Sequence, residues 1–345
     1  MFLDLCQSDF AGFFENNNLP RYSIGQIRRW IFARKTFDFG EMTDISKELR
    51  HKLSEHFGNV LNGKELTCRK SEDGTQKLLL EWLDGERTEC VLLRDNRNHR
   101  TGCISTQVGC AMGCRFCASG MDGFVRNLSR GEILEQILRL NNLLPKEERL
   151  THLVVMGIGE SALNLGALLP ALDEATAQDG LDLSVRRVTI STVGIIAGIR
   201  KLAENAVKNK KPYKLAVSLH APNDELRSEI IPQNKHTGIE AVVKAAQEYF
   251  QTTGRRVTFE YTLIAGVNDQ PLHVRQLAEL LRHQTAIVNV IPLNPVPELP
   301  YRTPSAKTVQ RFTEQLAAAG VQVKVRFRKG DKISAACGQL RRTYE

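Results

Sequence analysis

The sequence lacks any apolar run approaching the length of a membrane span, and its start, Met1-Phe2-Leu3-Asp4, has no basic segment ahead of an apolar one. A membrane-spanning or exported chain is therefore not expected, and a cytoplasmic one is. Internal repeats, low-complexity segments and a Walker-type phosphate loop are missing as well, and Gly157-x-Gly159 alone is too little for a dinucleotide fingerprint. The eight cysteines, spread over 345 residues, do not form the dense framework of a disulfide-stapled secreted domain. They fit a reducing compartment, where cysteine serves metals or catalysis. What remains is ordinary for a globular enzyme: 42% hydrophobic and 25% charged residues, enough chain for one large domain and a small one.

Against that background one stretch stands out, Cys110-Ala111-Met112-Gly113-Cys114-Arg115-Phe116-Cys117, with its C-x3-C-x2-C spacing. Thiolates this close on one loop can converge on a soft metal centre. A closed zinc site wants four ligands, but the next cysteine is Cys337, and His99 and His152 are not spaced as partners. Three thiolates on a cuboidal iron–sulfur cluster leave one iron open to bind a substrate. Chance proximity of buried structural cysteines is the weaker explanation for three in eight residues.

The net charge of +8 is unevenly placed. Arg28, Arg29, Arg34 and Lys35 lie near the start, and Lys208, Lys210, Lys211 and Lys214 in the middle, the latter reading best as a solvated face. Lys324, Arg326, Arg328, Lys329, Lys332, Arg341 and Arg342 crowd around Cys337 with only Asp331 against them, which favours a nucleic-acid partner.

Periodicity divides the chain into residues 1–60, helical, with Ser23 as a cap and Trp30 in the core; 61–100, a β-hairpin turning at Asp84-Gly85 and carrying Glu89, followed by a linker or turn at Arg94–Arg100; and 101–345, where strands alternate with helices. Strands are expected at Cys103–Gln107, His152–Met156, Val188–Ser191, Leu215–Ser218, Val257–Leu263 and Ile287–Ile291, with a late one at Val321–Arg326. A capping box at Ser129–Glu132 opens one helix, others cover 196–206, 239–251, 270–282 (capped by Asp269) and 305–319. Six strand–helix units imply an α/β fold whose parallel sheet forms a barrel or an open part of one, with ligands at the strands' carboxyl ends. The polar motifs fall at those ends: the cysteine loop, Gly157-Ile158-Gly159-Glu160, Ser191-Thr192, Ser218-Leu219-His220 and Asn294.

These residues resemble the radical S-adenosylmethionine superfamily and, within it, the RlmN/Cfr family of RNA adenosine methyltransferases. The likeness is carried by Cys103 through Cys110, Ser218-Leu219-His220-Ala221-Pro222-Asn223-Asp224, Gly266-Val267-Asn268-Asp269, Asn294-Pro295 and Ala335-Ala336-Cys337-Gly338-Gln339-Leu340, and spans almost the whole chain. It implies a partial (β/α)6 TIM-like barrel and a 4Fe–4S cluster on Cys110, Cys114 and Cys117, with S-adenosylmethionine along Gly159, Glu160, Ser191, Ser218, Leu219, His220 and Asn294. It implies Cys337 as methyl carrier, Cys103 as its resolving partner and Glu89 as proton acceptor. The implied substrate is an adenosine of 23S ribosomal RNA, with transfer RNA as a further one, and the implied electron donor a flavodoxin-type protein; a monomer is expected. Where relatives on the RlmN side have proline after Gly-x-Gly-Glu, Ser161-Ala162-Leu163-Asn164 follows here, which lies nearer the Cfr side and leaves carbon 2 or carbon 8 of the adenine open. The rival readings are a radical enzyme with a non-RNA substrate and a non-catalytic iron–sulfur RNA-binding or redox-sensing protein. Without Cys337, Cys103 would read as a buried structural thiol; Glu260 reads equally as a carboxylate supporting the site or as an ion-pair partner.

Overall fold

The computed structural model of the chain describes residues 2–5, 7–17, 19–326, 333–334 and 338–340. Its strands are β1 (Lys64–Lys70), β2 (Gln76–Glu81), β3 (Arg87–Arg94), β4 (Arg100–Cys103), β5 (Gln107–Gly109), β6 (Phe124–Asn127), β7 (His152–Val155), β8 (Val188–Thr192), β9 (Lys214–Ser218), β10 (Val257–Leu263), β11 (Ala286–Pro292) and β12 (Val323–Val325). Ten of them form one sheet in the order β1-β2-β3-β4-β7-β8-β9-β10-β11-β12, while β5 and β6 pair as a separate ribbon. From β4 onward every neighbour is parallel, and β1 to β4 are joined antiparallel. This is the expected partial barrel. Alternation along β8 and β10 explains it: Val188, Ile190, Val257 and Phe259 are buried in the core, while Ser191, Thr258 and Glu260 line the cavity inside the sheet.

The helices that follow the strands lie over the outer face. Ser129 opens the first, Arg130–Asn142, through the expected capping box with Glu132. Pro271 starts Pro271–Leu280 as expected, but its cap is Gln270, in a box with His273. Asp269 instead accepts from Gly266 N and the Gln270 amide. Leu165–Thr176 was not expected as a helix; the internal Pro170 masks its apolar face, on which Leu165, Leu168 and Leu172 are buried.

One expectation resolves and one boundary moves. Of the linker or turn expected at Arg94–Arg100 the structure has the turn: Asp95 accepts from the backbone N–H groups of Arg97 and His99 and closes it between β3 and β4. The strand expected at Cys103–Gln107 ends at Cys103, and the chain resumes as β5 in the small ribbon. The N-terminal segment is helical, with Lys47–Phe57 capped by Ser46, but Tyr22 rather than Ser23 stands at the cap of Ser23–Arg28. Trp30 packs half-buried against the core beneath the Arg34 guanidinium, 4.0 Å from its ring. Among the described residues no helix is long and apolar enough to cross a membrane.

Candidate functional site

The carboxyl ends of the parallel strands open into a cavity of about 810 Å³. Cys103, Cys110, Cys114, Cys117, Gly159, Glu160, Ser191, Ser218, His220 and Asn294 all line it, as do Gly338 and Leu340. Cys337 itself, with Arg328, Lys329 and Lys332, lies outside the described residues.

The cysteine loop is held by backbone geometry. Gly109, at φ +73°, brings its Cα so close to the Gly123 carbonyl that a Cβ would stand 1.9 Å from that oxygen, and Cys110 N donates to the same carbonyl at 3.0 Å. Burial pushes the Cys110 thiol up to about 11 and raises Cys114 well above the ordinary thiol value, and the neighbouring cysteines add to both. Three half-buried thiols facing one cavity are costly as free thiolates, and a bound metal centre offsets that cost. No group of three or more His, Cys, Asp or Glu among the described residues closes around a single ion. Cys110, Cys114 and Cys117 line one cavity from a single loop, a soft donor set that suits an iron–sulfur cluster.

Gly159, at φ +109°, lies so close to Gln107 that a Cβ would clash at 2.6 Å. Gln107 Oε1 then accepts from Glu160 N at 2.8 Å. The Glu160 carboxylate accepts from Ala162 N and from Val193 N, tying the ends of β7 and β8, and burial raises its pKa. Ser161, where proline was the expectation on one side of the family, donates its hydroxyl to the Ser191 carbonyl, a bond that proline cannot make.

His220 has φ +58°, and its Nδ1 accepts from Thr262 N at 2.9 Å, which leaves Nε2 as the donor facing the cavity in the neutral ring. Asn268 clamps the turn from behind, donating to the carbonyls of His220 and Thr262. Leu219 is fully buried in the core and does not reach the cavity. Its N–H donates to the Glu260 carbonyl, and its own carbonyl accepts from Arg227. Glu260 accepts from Asn289 Nδ2 at 2.7 Å inside the barrel, which favours the supporting-carboxylate reading.

His220 and His152 are both pushed below the ordinary histidine value of 6.5, to about 3 and about 4, mainly by burial. A histidine that resists charging in the folded chain but charges when unfolded stabilises the fold fully above pH 6.5, and this stability is lost as pH falls toward the folded value. Stability is therefore expected to fall between those limits, with His220 alone contributing a slope of up to about 1.4 kcal/mol per pH unit. His220→Asn keeps an acceptor for Thr262 N and tolerates positive φ; denaturation midpoints measured across this range should show a shallower slope, and an unchanged slope would count against it.

Sequence reasoning missed the residue that joins these strand ends. Arg227 is 1% exposed. It donates to the carbonyls of Leu219, Val193 and Ser218 and to Asn234 Oδ1. Burial pulls its guanidinium down to about 10, so it stays charged at neutral pH. The signal was present: Arg227 shares its helix face with the buried Ile230 and Ile231. Two N-terminal cations are also accounted for. Arg28 pairs with Glu174 and Asp179, and Lys35 donates to the carbonyls of Leu144, Pro145 and Glu148, so neither is free for a polyanion.

At the cavity's other wall, Val91, Cys103, Ile158 and Leu340 form a small apolar cluster against Ile333. Ala118 N donates to the Gly338 carbonyl at 2.8 Å, and Ser119 Oγ to that of Leu340 at 2.9 Å. Glu89 stands just behind this wall at 2% exposure, and Ser105 Oγ donates to its carbonyl at 2.7 Å.

A family model described as the Radical SAM superfamily matches residues 104–278, and one described as the ribosomal RNA large subunit methyltransferase N-terminal domain matches residues 2–58. A protein of Rhodopirellula baltica described as a probable dual-specificity RNA methyltransferase RlmN is 56% identical over 92% of this chain and 84% of its own length. One of Desulforamulus reducens with the same description is 44% identical over 99% of this chain and 96% of its own. The crystal structure of a radical SAM methyltransferase from Sphaerobacter thermophilus superposes with a TM-score of 0.94 at 39% identity, covering 99% of both chains.

Proposed function

The chain belongs to the radical S-adenosylmethionine superfamily and, within it, to the RlmN family of RNA methyltransferases, and from that premise we propose that it methylates carbon 2 or carbon 8 of an adenosine in 23S ribosomal RNA by way of an S-methylated Cys337. The relatives' description as dual-specificity RNA methyltransferases fits a second RNA substrate, for which the proposal is transfer RNA. One observation carries the reading: the residues on both sides of Cys337 dock onto the cysteine loop and onto Cys103, through Gly338, Leu340 and Ile333.

Adenine carbons 2 and 8 are electron-poor and do not attack a sulfonium methyl group, so ordinary displacement fails there. When bound, a 4Fe–4S cluster and S-adenosylmethionine supply a 5′-deoxyadenosyl radical, with the electron drawn from a donor such as a flavodoxin. The chain's residues do the rest. Cys110, Cys114 and Cys117 would hold the cluster. Gly159 and Glu160 would contact the cofactor's amine, and Ser191, Ser218, His220 and Asn294 would line its remaining length, with Leu219 supporting them from the core. Cys337 takes a methyl group by displacement, helped by nearby cations that favour its thiolate. The methyl carbon, once it has lost a hydrogen atom, bonds to the base and joins RNA to protein. Glu89 accepts the proton from the attacked carbon, and the unpaired electron of the adduct passes to a one-electron acceptor such as an iron–sulfur centre, which leaves a closed-shell ring. Cys103 then attacks the Cys337 sulfur, forming a disulfide while the carbon–sulfur bond breaks toward the base, whose new methyl group takes up a proton.

Intact-mass analysis tests the reading. Purified protein supplied anaerobically with cluster and S-adenosylmethionine is expected to gain one methyl group, lost in Cys337→Ala; its persistent absence refutes the proposal. Mass spectrometry of nucleosides from methylated ribosomal RNA fragments then assigns the carbon.

A further inference from the structure

Glu89 does not stand alone behind the cavity wall. In the antiparallel register Leu79 faces Glu89 and Lys77 faces Val91, so Lys77 and Glu89 are diagonal neighbours on one face of the sheet. The Lys77 Nζ lies 2.6 Å from Glu89 Oε1, with the two side chains 9% and 3% exposed. The same ammonium donates to the Ser334 carbonyl at 3.3 Å. Ser334, at φ +51°, is three residues before Cys337.

Stability alone does not account for this pair. Lysine is rarely buried, and a buried ion pair is commonly matched or bettered by apolar side chains of similar volume. Leu78 and Leu80, facing the other side of β2, show that the strand is otherwise built for an apolar core. What distinguishes Lys77 is its reach. One arm of its contacts goes to the carboxylate, the other to the segment that leads to the methyl-carrying cysteine. Near Glu89 among the described residues are also Cys103, whose strand neighbour is Val91, and Cys90, which faces the opposite side of β3 with a raised thiol pKa. Neither supplies positive charge.

We propose that Lys77 is a positioning residue for proton removal: it keeps Glu89 ionised and aimed, and through the Ser334 carbonyl it holds the Cys337 segment in register with that carboxylate. This rests on the reading of Glu89 as proton acceptor. The step it serves is a proton transfer. The C–H bond at the attacked base carbon breaks, its electron pair stays with the ring, and the proton passes to a Glu89 oxygen, leaving a neutral acid beside the ammonium. A buried carboxylate without its cation holds a proton to higher pH, and would meet the adduct already protonated.

The test compares Lys77→Met, Lys77→Arg and Glu89→Gln in cluster-loaded protein during a single turnover on RNA. Lys77→Met is expected to accumulate the protein–RNA crosslink, with resolution slowed roughly tenfold to a hundredfold. Its acid limb should move to higher pH, and Lys77→Arg should restore most of the rate. Difference infrared titration, wild type against Glu89→Gln, reads the carboxyl directly without turnover, and in Lys77→Met its protonated band is expected to persist to higher pH. Resolution at the wild-type rate with an unmoved pH profile overturns the role of Lys77. So does a loss that is equal at every pH and not rescued by arginine, which marks a purely structural contact. Should Lys77→Met fail to fold, the wild-type titration still decides, because a Glu89 carboxyl protonated at neutral pH refutes the proposal. Normal resolution by Glu89→Gln overturns the reading of Glu89, and this role with it, whereas a blocked Glu89→Gln beside an unaffected Lys77→Met overturns Lys77 alone.

Discussion

Cys103→Ala is expected to stop after one turnover with its RNA covalently attached to the protein. Cys103 ends β4, lines the cavity and is 7% exposed. It packs with Leu340 and Ile333, which bracket Cys337 in the chain. On the proposed reading a thiol in that place attacks the Cys337 sulfur, and removing it leaves the carbon–sulfur bond to the base with no nucleophile to break it. Alanine fills nearly the same small apolar site, so the fold should survive and the block should be chemical. Denaturing gels and intact-mass analysis after reaction check this: the adduct should carry the mass of the RNA on Cys337. Repeated turnover without a trapped adduct would refute the resolving role.

Arg227→Met is expected to cost about 3 kcal/mol or more in stability, because it strands buried carbonyl acceptors that each cost roughly 1–3 kcal/mol unpaired. The damage should also be local to the cofactor edge. The carbonyls of Val193, Ser218 and Leu219 lie at the ends of β8 and β9, and Arg227 is the group that draws them together. Affinity for S-adenosylmethionine should fall in step. Lysine is not expected to rescue it, since one ammonium cannot reproduce a planar fork spread over separate acceptors. Chemical denaturation and calorimetric titration of the cofactor measure the two effects. A variant within 1 kcal/mol of wild type, with unchanged cofactor affinity, would show that the strand ends hold without it.

Much of this site was legible because its residues are of types that announce themselves. Cysteines at close spacing, glycines before a glutamate, and serine and histidine at strand ends all break the apolar pattern of β7 to β11. The supporting residues do not. Gln107 and Asn164 look like surface residues in sequence, and Arg227 shows only its place on an apolar helix face; the fold alone shows Gln107 holding Glu160, Asn164 bonded to the Thr106 and Leu128 carbonyls, and Arg227 joining strand ends. The β5–β6 ribbon was missed because strands of three and four residues leave too few alternations to read. Charge misled in the N-terminal helices, since Arg28 meets its partners, Glu174 and Asp179, about 150 positions away. Lys77, in the middle of an alternating strand, carried no signal that it would be buried.

The antiparallel hairpin of β1 to β3 also does something for the barrel that has nothing to do with chemistry. Along β4 the backbone is hydrogen-bonded by β3 on one side and β7 on the other. A barrel beginning at residue 100 would present β4 as a bare edge, an open template for pairing with another chain. Such a truncated protein should self-associate on expression, however intact its cysteine loop. The hairpin thus moves that rim out to β1, whose charged residues and bulge between Glu65 and Thr67 discourage pairing, and leaves the far rim to β12, whose three residues are too short to recruit a neighbour.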